Sequence, residues 1–146
     1  MKTLLQNLKA ILEDDATLQA KVKHYGIGED ELETMVSMNR FPLIVVDRAT
    51  GLGEEYIPTD AKDLKKRLVH VTVKLAVRLR KRETALLGED GLLTLFDDVM
   101  TAIHSDETVS GRVRKLEESI TVDEADIVSE GAFLGFGRQI NLTYMT

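Results

Sequence analysis

A chain of 146 residues, 43% hydrophobic and 30% charged, has the balance of a globular domain with a single core, not of a disordered tail. It contains no cysteine, which excludes disulfides, thiolate nucleophiles and zinc-thiolate sites and points to a reducing compartment. The formal net charge of −6, from 25 acidic and 19 basic residues, argues against broad electrostatic capture of nucleic acid or anionic lipid.

The elements follow in chain order. Leu4, Leu8, Ile11 and Leu12 recur at helical spacing, Leu5 widens the stripe, and Thr3 with Gln6 can form a capping box, so a helix is predicted to end near Asp14. Polar residues interrupt positions 1–9 every few residues, unlike a secretion signal. No apolar run approaches the roughly 20 residues that span a bilayer, so the expected location is cytosolic and no membrane contact is expected. Residues 16–23 allow one or two further helical turns, with Leu18 and Val22 on one side, before Gly26 and Gly28 break them. Residues 29–36 read as a brief helix or a loop insert.

Residues 41–46 are a β-branched and aliphatic run in which Pro42 fits only at a strand start or an edge. Gly51, Gly53 and Pro58 among charges then predict a mobile loop or an extended hairpin at about 47–60. Over residues 67–79, Val69, Val71, Val73, Leu75 and Val77 alternate with His70, Thr72, Lys74, Ala76 and Arg78, the pattern of a long strand with one face in the core. Residues 88–105 return to helical spacing through Leu92, Phe96, Val99 and Ile103, with Glu89 and Asp90 suited to the positive helix end and His104 to the negative one. A strand candidate at 116–122 follows. The glycine-rich stretch 131–137 lacks the glycine-lysine pattern of a phosphate loop and reads as a bulge or strand start. Phe136, Arg138, Ile140, Leu142 and Tyr144 mark a closing strand. The predicted fold class is α+β: a mixed or antiparallel β-sheet of about four strands packed against two main helices, as a single domain over 1–146.

No catalytic residue, metal site or cofactor is predicted. His24, His70 and His104 are scattered, and none has a carboxylate or second histidine at metal-ligand spacing on a shared face. Asp97 and Asp98 are adjacent on a helix and diverge by about 100°, so they read as solvated charges and not as an acid/base pair. The serines lack a neighbouring histidine or a nucleophile elbow. Charge, in contrast, is segregated. Basic residues crowd 62–82, including Lys65, Lys66, Arg67, Lys74, Arg78, Arg80, Lys81 and Arg82; acidic ones crowd 117–130, including Glu117, Glu118, Asp123 and Glu124. Such patches suit contacts between subunits, with ordinary solvated faces as the plainer reading. The 78–82 cluster ends the long strand and can meet phosphates or an acidic neighbour, but aromatic residues make up only 5% of the chain, so stacking on bases is not supported.

The N-terminal amphipathic helix, residues 40–46 (RFPLIVV), the long 69–77 strand, residues 91–99 (GLLTLFDDV) opening a helix, and residues 103–113 (IHSDETVSGRV) leading out of it resemble the tail-terminator, or tail-completion, proteins of long-tailed bacteriophages. The resemblance covers most of the chain and consists of short phrases in a fixed order. It implies a structural subunit, not an enzyme, that forms a ring, usually six-fold, on the tail tube. Such a ring ends tube polymerisation and joins the tail to head-tail connector proteins. The implied partners are further copies of itself, the tail tube protein, connector proteins and, through non-specific contact at Lys65, Lys66, Arg67 and Lys74, genomic DNA. The implied location is the virion tail, assembled in the host cytoplasm. Arg78, Arg80, Lys81 and Arg82 against Glu117, Glu118, Asp123 and Glu124 are the candidate subunit patches, and Glu54, Glu55 and Tyr56 lie where a loop could order on docking. Two other readings stay open: a nucleic-acid-binding or regulatory module using the 78–82 rim, and another head-tail connector or neck subunit.

Overall fold

The computed structural model describes residues 2–49, 54–58, 65–79, 86–88, 91–116, 121–122, 126–130 and 133–145. In chain order the elements are α1 (Lys2–Asp14), α2 (Ala16–Gln19), β1 (His24–Ile27), α3 (Glu29–Ser37), β2 (Leu43–Arg48), β3 (Glu54–Pro58) and β4 (Lys65–Arg78). They continue with α4 (Leu92–Ser105), β5 (Lys115–Leu116), β6 (Thr121–Val122), β7 (Asp126–Glu130) and β8 (Phe133–Met145).

Helix α1 forms where the apolar spacing places it and buries Leu4, Leu5, Leu8 and Leu12. It starts at Lys2, so Thr3 sits inside the first turn and not at the expected N-cap. Asp15 then caps α2, its Oδ1 accepting from Leu18 N at 3.0 Å. Gly26 does not end a helix; it lies buried within β1, where an added Cβ would come 2.3 Å from Glu31 Cγ. The break falls at Gly28, whose φ of 93° and ψ of 151° belong to backbone space that is essentially glycine's alone. The chain there turns from strand into α3, which resolves the choice between helix and loop over 29–36 in favour of helix.

The second main helix starts at Leu92, four residues later than the apolar spacing predicts. The cause is a tight turn: Gly91 N donates to Gly88 O at 2.9 Å, and a Cβ on Gly91 would lie 2.8 Å from that same carbonyl oxygen. Residues Glu89 and Asp90, expected to favour the helix's positive end, lie outside the described residues.

The sheet is mixed, as the sequence allows, but larger than about four strands. Its path runs β1-β2-β4-β8-β5, with β3 also on β4 and β6 and β7 also on β8. Among the described residues β1 and β2 pair in parallel and the other pairings are antiparallel. The extra strands arise because two long strands each hold a broken partner. Along one side of β4 lie β2 and then β3, so Glu54–Pro58 is strand within the stretch predicted as mobile loop or hairpin. Along the outer side of β8 lie β5, β6 and β7 in turn. Between β5 and β6 the chain holds two residues more than the facing stretch of β8, and between β6 and β7 one more.

Each sheet face has its own apolar cluster. Val69, Val71, Val73, Leu75 and Val77 of β4 join Phe136, Ile140, Leu142 and Tyr144 of β8, Ile44 and Val46 of β2, and the buried faces of α1 and α4. On the opposite face Leu32 and Val36 of α3 pack with Phe41, Leu43, Val45 and Ala76. The continuous apolar run of β2 reflects burial on both of its sides. Arg138, on the helix-facing side by its register with Leu75, lays its guanidinium 4.8 Å from the centre of the Phe96 ring on α4.

Candidate interaction surfaces

Of the charges assigned to subunit contacts, Arg78 is the last residue of β4 and is exposed, at the rim where the alternation put it. Arg80, Lys81, Arg82, Glu117, Glu118, Asp123 and Glu124 lie outside the described residues. Glu54, Glu55 and Tyr56 take backbone positions in β3, and Lys65, Lys66 and Arg67 in the facing start of β4, where the register sets Tyr56 against Arg67. Lys74 is half-buried on the α3 side of the sheet.

That side carries a polar band the sequence reading did not assemble. Beyond the part covered by α3, His70, Thr72 and Lys74 of β4 stand in register with Thr143, Asn141 and Gln139 of β8, and Asp47 of β2 is Thr72's partner on the other flank. His70 Nδ1 lies 3.0 Å from Thr143 Oγ1, and Gln139 Nε2 donates to Asn141 Oδ1 at 2.8 Å. Thr72 is only 4% exposed and its hydroxyl oxygen has no hydrogen-bond partner. The available signal was Gln139, Asn141 and Thr143, polar positions alternating with the apolar Ile140, Leu142 and Tyr144 of β8. Only the pairing with β4 brings the two polar sets side by side.

The histidines are less isolated than their spacing implies. His24 Nε2 meets Glu31 Oε1 at 2.8 Å across the β1 to α3 turn, and His104 Nδ1 meets Glu107 Oε1 at 3.2 Å past the end of α4. Among the described residues no group of three or more histidine, aspartate or glutamate side chains is arranged to hold a metal ion. Asp97 is exposed, whereas Asp98 is not a solvated charge: Lys21 Nζ, just beyond α2, forms a half-buried ion pair with it. Asp106 closes the turn after α4 by accepting from Thr108 Oγ1 and the Ser110 and Thr108 amides, bonds that hold its carboxyl below the usual range. In that turn Val109 is fully buried at a φ of 50°, unusual for a β-branched residue.

Among the described residues, Tyr25 and Tyr144 bury hydroxyls that have no partner. Burial, followed by the nearby Glu13 and Asp15, pushes Tyr25 up to about 12; burial, followed by Asp106 and Glu107, pushes Tyr144 up further. From about pH 10 upward the unfolded chain releases these phenolic protons first, so it binds fewer protons than the folded one and stability falls as pH rises toward 12. Urea unfolding between pH 9 and about 11 is expected to show that decline, with a shallower slope in Tyr144→Phe. An equal slope in the variant would remove Tyr144 as its source.

No helix among the described residues is long and apolar enough to cross a membrane. No protein-family model matches the chain, and no curated protein matches it.

Proposed function

We propose that the chain is a structural subunit of a bacteriophage tail, a terminator that forms a ring on the tail tube, stops its growth and presents a surface to head-tail connector proteins. The observation that carries this reading is the ordered set of phrases resembling that family, which fall on β2, β4, α4 and the turn beyond it. The chemistry of the described side chains agrees with a structural role. Several polar side chains of the described residues pair with one another, in the Gln139 to Asn141, His24 to Glu31 and Lys21 to Asp98 pairs. Charge is instead distributed by segment, basic over 62–82 and acidic over 117–130, as unlike patches on successive copies of a ring require.

Electron microscopy of tails assembled with and without the protein tests this reading. Overlong tubes in its absence are the expected result; tubes of normal length would overturn it. A nucleic-acid-binding or regulatory module using the basic 78–82 rim is the second reading, favoured by Arg78 standing exposed at the end of β4. It requires a shift of duplex DNA that weakens steeply as salt rises.

A further inference from the structure

We infer that successive copies join by sheet extension, the outer edge of β1 on one copy pairing antiparallel with the outer edge of β7 on the next. Among the described residues no strand pairs with either edge. The Val46 carbonyl accepts from Gly28, and Ile27 is in register with Val46, so the backbone groups of His24, Gly26 and Gly28 face β2. Strand alternation then directs the N–H and C=O of Tyr25 and Ile27 away from the sheet, and Ile27 is among the few large apolar side chains left exposed, at 39%.

Direction and charge select the partner edge. β1 runs with β2, β2 against β4, β4 against β8, and β8 against β7, so β7 runs opposite to β1 and a neighbour placed alongside presents the antiparallel arrangement. β5 and β6 each keep only two residues in register with β8, whereas β7 keeps five consecutive ones. Residues 123–130 hold four acids and no base, whereas next to β1 Lys23 is exposed; Lys21 is already paired with Asp98. Through β2, β4 and β8, His24 stands on the same cross-strand line as Asp126, so β7 continues past the end of β1. Matching the two edges therefore staggers each copy along the strands, the shift that a sheet closing on itself needs. Contacts of this head-to-tail kind close into a ring when the rotation fits.

This inference rests on the reading of the chain as a ring subunit, and the test separates the two. Ile27→Pro removes one outward N–H and leaves the bonds to β2 in place. At concentrations where the unmodified protein sediments as rings, the variant is expected to keep its circular dichroism and urea midpoint yet sediment as a monomer. In the unmodified protein the Tyr25 and Ile27 amides are expected to exchange at least tenfold more slowly in rings than in dilute monomer. Rings whose edge amides exchange as in the monomer, or a folded Ile27→Pro variant that assembles normally, would overturn edge pairing and leave ring formation standing. A protein that stays monomeric at every concentration, alone and on tail tubes, would overturn both.

Discussion

Truncating Ile140 to alanine is expected to lower the unfolding free energy by about 2–5 kcal/mol, the range for removing a large aliphatic side chain from a core that cannot collapse around the gap. Ile140 is fully buried in β8, paired with Val73, itself fully buried on β4, and belongs to the cluster that α1 and α4 close. Its neighbours come from strands on one side and helices on the other, so no single element can shift to fill the space without opening another contact. Urea denaturation checks this through a lower midpoint at unchanged slope. A loss below about 1 kcal/mol would mean that the helices do not seal this face of the sheet.

Gly135→Ala is expected to destabilise the fold by about 1–3 kcal/mol through overpacking, although it adds one methyl group to a strand. The Cβ would stand 2.7 Å from Phe41 Cε1 and 3.0 Å from Cζ, because the Phe41 ring packs against the bare backbone of β8 on the α3 side. The reason for glycine here is space and not backbone torsion. The double variant Gly135→Ala, Phe41→Leu is therefore expected to recover part of the loss, giving a coupling energy of roughly 0.5 kcal/mol or more between the sites. Strictly additive effects would show that the ring is not what excludes the methyl group.

What could be recognised in the sequence was what repeats at short range. The alternation of β4, the helical stripes of α1 and α4 and the closing strand β8 all appear at their expected places, because each buries one regular face and the period of that face is written in consecutive residues. The histidine partners were not recognisable for the opposite reason. Glu31 lies seven positions from His24, and the two meet only because Gly28 turns the chain between strand and helix. The polar band needed the register of β4 on β8 before His70 and Thr143, 73 positions apart, became neighbours.

The small strands show the same division. Residues 126–130 look like an acidic surface segment in isolation, and their pairing with Phe133–Gly137 is imposed by β8, not by any periodicity of their own. By itself the sequence determined the fold class, the principal helices and strands and the segregation of charge, since these follow from side-chain hydrophobicity at fixed local periods. Only the tertiary structure decided the strand order, the second apolar cluster beneath α3, the glycine that admits Phe41 and which edges stay unpaired, because each depends on contacts between residues far apart in the chain, whose register no local pattern encodes.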